Sequence, residues 1–249
     1  MHRLRAYLFA DPAIILSTLF FGTLSIIASL FDRSGNAPIR VARAWARSLL
    51  SIGGVRVHVE GLDRLSPEGS YVFIANHLSY MDTPVVLGNI PVQFRFLAKK
   101  GLFQIPFLGT HLSQAGHIPV PREDPRASVR TMQLAAETIQ SRKISLLIFP
   151  EGGRSHDGIM RPFKEGAAYI AIRAGVPAVP VALIGTRRIL PFGSGVIVPG
   201  PVTLRILPPI DTRELTLKDR GRVTEEVRAL IANELDHASA GQLAQKSSF

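Results

Sequence analysis

Ile144-Ser145-Leu146-Leu147-Ile148-Phe149-Pro150-Glu151-Gly152-Gly153-Arg154-Ser155 runs from an apolar stretch straight into a proline, two glycines and an arginine. A short strand that is apolar on both faces belongs inside a sheet covered by helices on either side, and such sheets are mostly parallel. The proline ends the strand, and Gly152-Gly153 lets the backbone turn so that its N–H groups can converge on an anion. Arg154 adds a permanent charge with planar donors suited to phosphate. The same turn also reads as a surface loop carrying an ion pair. Glu151 repels phosphate, so it either orients Arg154 or accepts a hydroxyl from a substrate.

The pattern repeats outward in both directions. Strands are expected at Val55–Glu60, Tyr71–Ala75, Gln93–Ala98, His117–Val120, Ala178–Leu183 and Val202–Ile206, besides Ile144–Phe149 itself. Helices are expected at Pro84–Asn89, Ala127–Ser141, Phe163–Ala174 and Val223–His237. Interleaving of this kind predicts an α/β fold with a mixed, largely parallel sheet sandwiched by helices. The 249 residues divide into an N-terminal helical region (1–54), an α/β domain (55–240) and a flexible tail (241–249).

In such sheets ligand groups collect where strands end. After Tyr71–Ala75 comes Asn76-His77-Leu78-Ser79-Tyr80-Met81-Asp82. On one continuous helix His77 and Asp82 would lie about 140° apart; at a strand-to-helix bend they can meet. Histidine takes a proton near neutrality, and an aspartate on its other ring nitrogen fixes the tautomer. Alternatively, Asp82 caps the helix that follows. A third junction, Gly116 to Arg122, also ends in an arginine. Lys99-Lys100 precedes the apolar loop Gly101–Gly109, which is either core or a wall for an acyl chain. Lys164 follows Phe163 in a further basic segment.

The chain has 29 basic residues against 19 acidic, a net charge of +10, and no cysteine. That excludes a thiol nucleophile, a disulfide and a cysteine-ligated metal. No Lys/Arg run resembles a nucleic-acid arm, so no nucleic-acid partner is expected. Residues 13–31 are 19 uncharged, mostly apolar positions, about 28 Å as a helix and long enough for a hydrocarbon core. They read as a retained membrane segment, with a signal peptide or a buried helix as the other options. In Ile39–Ile52, Arg40, Arg43 and Arg47 share one side, facing either lipid headgroups or water. Arg33 and these three outnumber Arg3 and Arg5 across the apolar segment, which places the body on the cytoplasmic side of the cell (inner) membrane.

Taken together and in order, the segments resemble the glycerolipid acyltransferase family. His77 to Asp82 matches its His-x4-Asp block, Gly116 to Arg122 a block ending in Arg, and Phe149 to Ser155 its Phe-Pro-Glu-Gly-x-Arg-Ser block. Val176 to Val181 matches the proline-containing fourth block. Pro119 and Pro121 depart from the apolar residues often found in the second. The resemblance implies a glycerol-3-phosphate acyltransferase-like fold with an N-terminal membrane anchor and membrane lipids as surroundings. It implies transfer from an acyl thioester to a lysolipid hydroxyl, most closely that of lysophosphatidic acid. His77 would be the general base and Asp82 its orienter. Lys100, Arg122, Glu151, Gly152, Gly153, Arg154 and Lys164 would bind substrate. No metal or cofactor is implied beyond acyl-CoA or acyl-carrier protein as co-substrate. Another lysolipid acceptor, a hydrolase and a non-catalytic lipid-binding homologue are the rival expectations.

Overall fold

The computed structural model describes residues 9–121, 123–155, 157–191 and 193–246. Two helices, α1 (Asp11–Phe31) and α2 (Asn36–Gly53), form an antiparallel hairpin. Then follow β1 (Val55–Glu60), β2 (Val72–Ala75), α3 (Asp82–Asn89), β3 (Phe94–Lys99), α4 (Leu108–Gln114), β4 (Ile118–Val120) and α5 (Pro125–Arg142). The chain continues through β5 (Ser145–Ile148), α6 (Gly166–Ala174), β6 (Ala178–Ile184), α7 (Thr186–Ile189), β7 (Gly200–Ile206) and α8 (Arg220–Lys246). The sheet order is β1-β7-β6-β2-β5-β3-β4. Strands β6, β2, β5, β3 and β4 run parallel, whereas β7 is antiparallel to β6 and parallel to β1. All seven expected strands form, and the mixed, mostly parallel sheet between helical layers is the architecture expected.

Strand alternation divides the core in two. Phe73, Phe94, Leu147 and Val179 face α2 and α3 with their neighbours; Val72, Ile74, Leu146 and Ile148 face α5, α6 and α8. Because side chains alternate, the positions after β2 continue the pattern: Phe73 and Ala75 point to the α3 side, and His77 follows them. The C-terminal ends of five parallel strands share one edge of the sheet.

Three local differences from the expected elements have physical causes. Helix α6 starts at Gly166 rather than Phe163, because the Lys164 N–H bonds Pro150 O (3.1 Å) and holds that segment beside the β5 turn. The apolar loop after Lys100 is a 3₁₀ turn (Lys100–Gln104) leading into α4, and Leu102, Ile105, Phe107 and Leu108 are exposed rather than core. Helix α8 runs on to Lys246, into the stretch expected to be a loose tail from residue 241.

Two of the three arginines on the basic side of α2 bond the body, so the stripe is not simply solvated. Arg43 donates to Pro91 O (2.7 Å) and Val92 O (2.5 Å), and Arg47 to Gly88 O (2.9 Å). These carbonyls belong to the end of α3 and the turn after it, where cations are favoured. Arg40 and Arg47 remain exposed, and Arg43 is half-buried. Polar side chains on α1 tie it to α2, where Ser17 meets Ser48 (2.9 Å) and Thr18 accepts from Trp45 (3.1 Å), and to the body, where Ser25 meets His111 Nδ1 (2.7 Å). The hairpin turn needs a left-handed residue at Gly35 (φ 77°), where a Cβ would stand 2.7 Å from Ala115 O.

Candidate functional site

At the end of β2, Asn76 is fully buried and its amide bonds both backbone groups of Leu183 on β6 (3.0 and 2.8 Å). That pins the strand end and turns the chain toward α3. His77 and Asp82 meet across the bend: His77 Nδ1 lies 2.9 Å from Asp82 Oδ2. The same oxygen accepts the backbone N–H groups of Leu78 and Ser79, each at 2.8 Å. Asp82 therefore does not cap α3; it reaches back to close the loop that carries His77. Its carboxylate is completely buried, while the His77 side chain stays 10% exposed at the site's mouth. An ionised Asp82 only accepts, so Nδ1 carries the proton and Nε2 the lone pair.

The β5 turn lies beside this loop. The Phe149 ring stacks on His77 at 3.9 Å between centroids and 16° between planes, which fixes the imidazole plane. Arg154 Nε donates to Ser79 O (3.1 Å), and its guanidinium lies 4.3 Å over the Tyr80 ring. Among the described residues its two Nη groups have no protein acceptor, so a planar pair of donors remains beside the dyad. Burial lowers the Arg154 pKa from its usual value, with the negative charge of Asp82 opposing. The Gly152 N–H, expected to face an anion, instead closes the turn on Phe149 O (3.2 Å), because its positive φ (74°) directs it inward. A side chain at Gly152 would stand 3.3 Å from Lys164 Nζ, so that ammonium group lies against the turn.

Glu151 is not where its expected role would put it. Its Oε1 accepts the His77 N–H (2.5 Å) and its Oε2 the Arg161 N–H (2.9 Å). No Glu151–Arg154 pair forms among the described residues. The carboxylate is a clamp between the His77 loop and the segment before α6, rather than a partner for Arg154 or a substrate hydroxyl. Burial pushes its pKa from 4.5 up to about 7, with the two N–H bonds opposing. Between 4.5 and about 7 the folded chain holds a proton that the unfolded chain has released. Stability from this group is therefore complete at low pH and lost as pH rises through the upper value. The wild type should lose on the order of 3 kcal/mol relative to Glu151→Gln between about pH 5 and about pH 8. Thermal unfolding of both proteins across that range checks it; parallel pH dependences would refute it.

Lys100 is exposed on the turn after β3, at the same sheet edge but with no contact to the dyad among the described residues. Arg122 lies outside the described residues. Asn76, Phe149 and Tyr80 take roles here that their local sequence does not reveal, since each acts through a partner distant in the chain or across the bend. Ser79, read as structural, donates to Leu190 O (2.6 Å) and accepts from the Met81 N–H (2.9 Å). Ser155 holds its own loop through Asp157 (2.5 Å) and the Gly158 N–H (2.8 Å).

The chain is similar to proteins of known family and fold. Residues 56–184 match the family model described as Acyltransferase. A chloroplastic 1-acyl-sn-glycerol-3-phosphate acyltransferase of Brassica napus is 37% identical over 172 residues, 68% of this chain and 49% of its own length. The enzyme of that name from Saccharomyces cerevisiae is 33% identical over 213 residues, 84% of this chain and 70% of its own. This chain spans about half the length of the plant chloroplast relatives, 49% and 53%. The crystal structure of a 1-acyl-sn-glycerophosphate acyltransferase from Thermotoga maritima superposes with a TM-score of 0.80 at 24% identity, covering 96% of this chain and 98% of that one. The matched segment contains the buried dyad and the β5 turn, and the chain belongs to the acyltransferase family.

Proposed function

We propose that the protein moves a fatty acyl group from an acyl thioester to the sn-2 hydroxyl of 1-acyl-glycerol-3-phosphate, forming phosphatidic acid. The observation that carries this reading is the His77–Asp82 pair beside the open guanidinium of Arg154. His77 Nε2 takes the hydroxyl proton as the acceptor oxygen attacks the thioester carbonyl. The C–S bond then breaks, and the imidazolium returns its proton to the leaving thiolate. Asp82 stabilises the imidazolium between these steps. Arg154 and Lys164, with Lys100 and Arg122 as the further basic groups, hold the acceptor's phosphate. Holding both reactants in line contributes about 7–11 kcal/mol of the barrier reduction. The names of the relatives support lysophosphatidic acid as acceptor. Coenzyme A or acyl-carrier protein supplies the thioester.

The surface supports work at a bilayer. Helix α1 has 21 residues and a mean hydropathy of 2.2, with 11% of its apolar window buried. Its outward side chains Leu16, Phe20 and Phe31 are 68%, 63% and 86% exposed, more apolar surface than water favours. Since α1 doubles back along α2, both hairpin ends lie on the body's side of an embedding leaflet. The arginine excess favours the cytoplasmic face of the cell membrane.

The test is purified protein with a labelled acyl thioester and a panel of lysolipids. Thiol release should depend on acceptor and be fastest with lysophosphatidic acid. Equal release without acceptor would make the protein a hydrolase, and preference for a phosphate-free lysolipid would move the acceptor to another class. Arg154→Ala should raise the acceptor KM about 10–100-fold, with little change in the thioester KM. An unchanged acceptor KM would count against the phosphate site.

A further inference from the structure

A cavity of about 460 Å³ lies beside the His77 loop at the β6 end, and the segment after the β5 turn (Gly158 to Met160) closes part of its wall. Its lining includes Leu78, Thr186, Arg187, Arg188, Arg228 and Asp236. Strand β6 is the parallel neighbour of β2, with Val181 in register with Ala75. Its C-terminal end therefore delivers Thr186-Arg187-Arg188 beside the loop that carries the catalytic histidine. Arg228 arrives from α8, far away in sequence. Leu78, which forms part of the wall, follows His77 directly and gives its N–H to Asp82 (2.8 Å).

The chemistry of this lining is that of an anion site. Three arginines and one aspartate line it; Arg187 donates to Asp157 O, and Arg228 also meets Glu225 at the rim (3.8 Å). Thr186 is 1% exposed, and its hydroxyl has no partner among the described residues; Arg228 Nε is likewise buried without one. Buried polar atoms of this kind cost free energy unless a ligand meets them. The remaining wall is aliphatic, with Ile159 and Leu235 among its side chains, so a ligand here carries phosphate on an apolar arm. None of this charge is needed for the acceptor's phosphate in the reading above, which assigns that group to Arg154 and Lys164.

We infer that this cavity binds the phosphorylated pantetheine carrier of the acyl donor, with the phosphate on Arg188, Arg228 and Thr186 and the thioester reaching past Leu78 to His77. Acceptor and donor then approach the histidine from the β5 and β6 sides respectively. The inference rests on the thioester-transfer reading above.

The experiment compares wild type, Arg188→Ala, Arg228→Gln and the double variant with three donors of one acyl chain: acyl-coenzyme A, acyl-carrier protein and the phosphate-free acyl-N-acetylcysteamine. The double variant's preference for phosphorylated over phosphate-free donor, as a ratio of kcat/KM values, should fall about tenfold or more. The acceptor KM should stay within about twofold of wild type. A fall with coenzyme A alone supports the cavity and assigns it to the nucleotide phosphates. A fall with the carrier protein as well supports it and assigns it to the phosphate on pantetheine. Equal losses with all three donors, or no loss in the double variant, would overturn it; a thermal melt shows whether a uniform loss comes from unfolding. A wild type inert toward all three would remove the transfer reading itself, before any variant is made.

Discussion

His77→Ala is expected to lower kcat about 10²–10⁴-fold while leaving both KM values within about twofold, because only the proton transfer is removed. The fold should tolerate the change. Asp82 keeps two backbone N–H donors, from Leu78 and Ser79, when the imidazole is gone, so no buried charge is left bare. The losses include the Asp82 bond and the stacking on Phe149 at the mouth of the site, the stacking being about 1 kcal/mol, which lowers Tm by about 2–4 °C in a chain of this size. Steady-state kinetics and a thermal melt on the same sample check it. Turnover close to wild type would end the general-base assignment, and a collapse of Tm would show that the histidine is structural.

Asp82→Asn separates charge from shape. An amide oxygen placed where Oδ2 lies can still accept from Leu78, Ser79 and His77, so the loop should keep its form. What disappears is the negative charge that stabilises the imidazolium, together with firm control of the tautomer. A loss in kcat of about 10³–10⁴-fold is expected, with a small change in Tm, since Asp82 Oδ1 is buried without a partner in the native protein. Asp82→Ala should lose the same activity and also stability, by about 1–3 kcal/mol for each N–H left unsatisfied. Asn and Ala variants that melt alike would make the loop contacts unimportant. An Asn variant within tenfold of wild-type kcat would separate Asp82 from the chemistry.

The sheet was legible because its strands are continuous apolar runs bounded by Gly, Pro and charged residues, a local signal that no distant contact overrides. The dyad was legible as a possibility: five residues separate His77 from Asp82, and only a bend permits them to meet. Glu151 was misread for a physical reason. Its neighbour in sequence, Arg154, is an obvious partner for its charge, yet its oxygens are closer to the N–H groups of His77 and Arg161. Nothing in the local string encodes those donors. The bonds of Arg43 and Arg47 to carbonyls at and just beyond the end of α3 were hidden in the same way, since a stripe on a helix says which residues share a face but not what that face meets.

The sequence by itself determined the α/β order of elements, the apolar N-terminal helix and the set of residue types capable of acid–base chemistry and phosphate binding. Those properties depend on near neighbours: strand alternation, helix period and the conformational freedom of glycine. Only the tertiary structure decided which carboxylate serves His77 and which holds the backbone, because that choice depends on donors from β2, β5 and the segment before α6 converging at one sheet edge. It alone placed Arg228 beside Thr186 and Arg188, since parallel pairing of β6 with β2 and the return of α8 bring together residues some 40 positions apart.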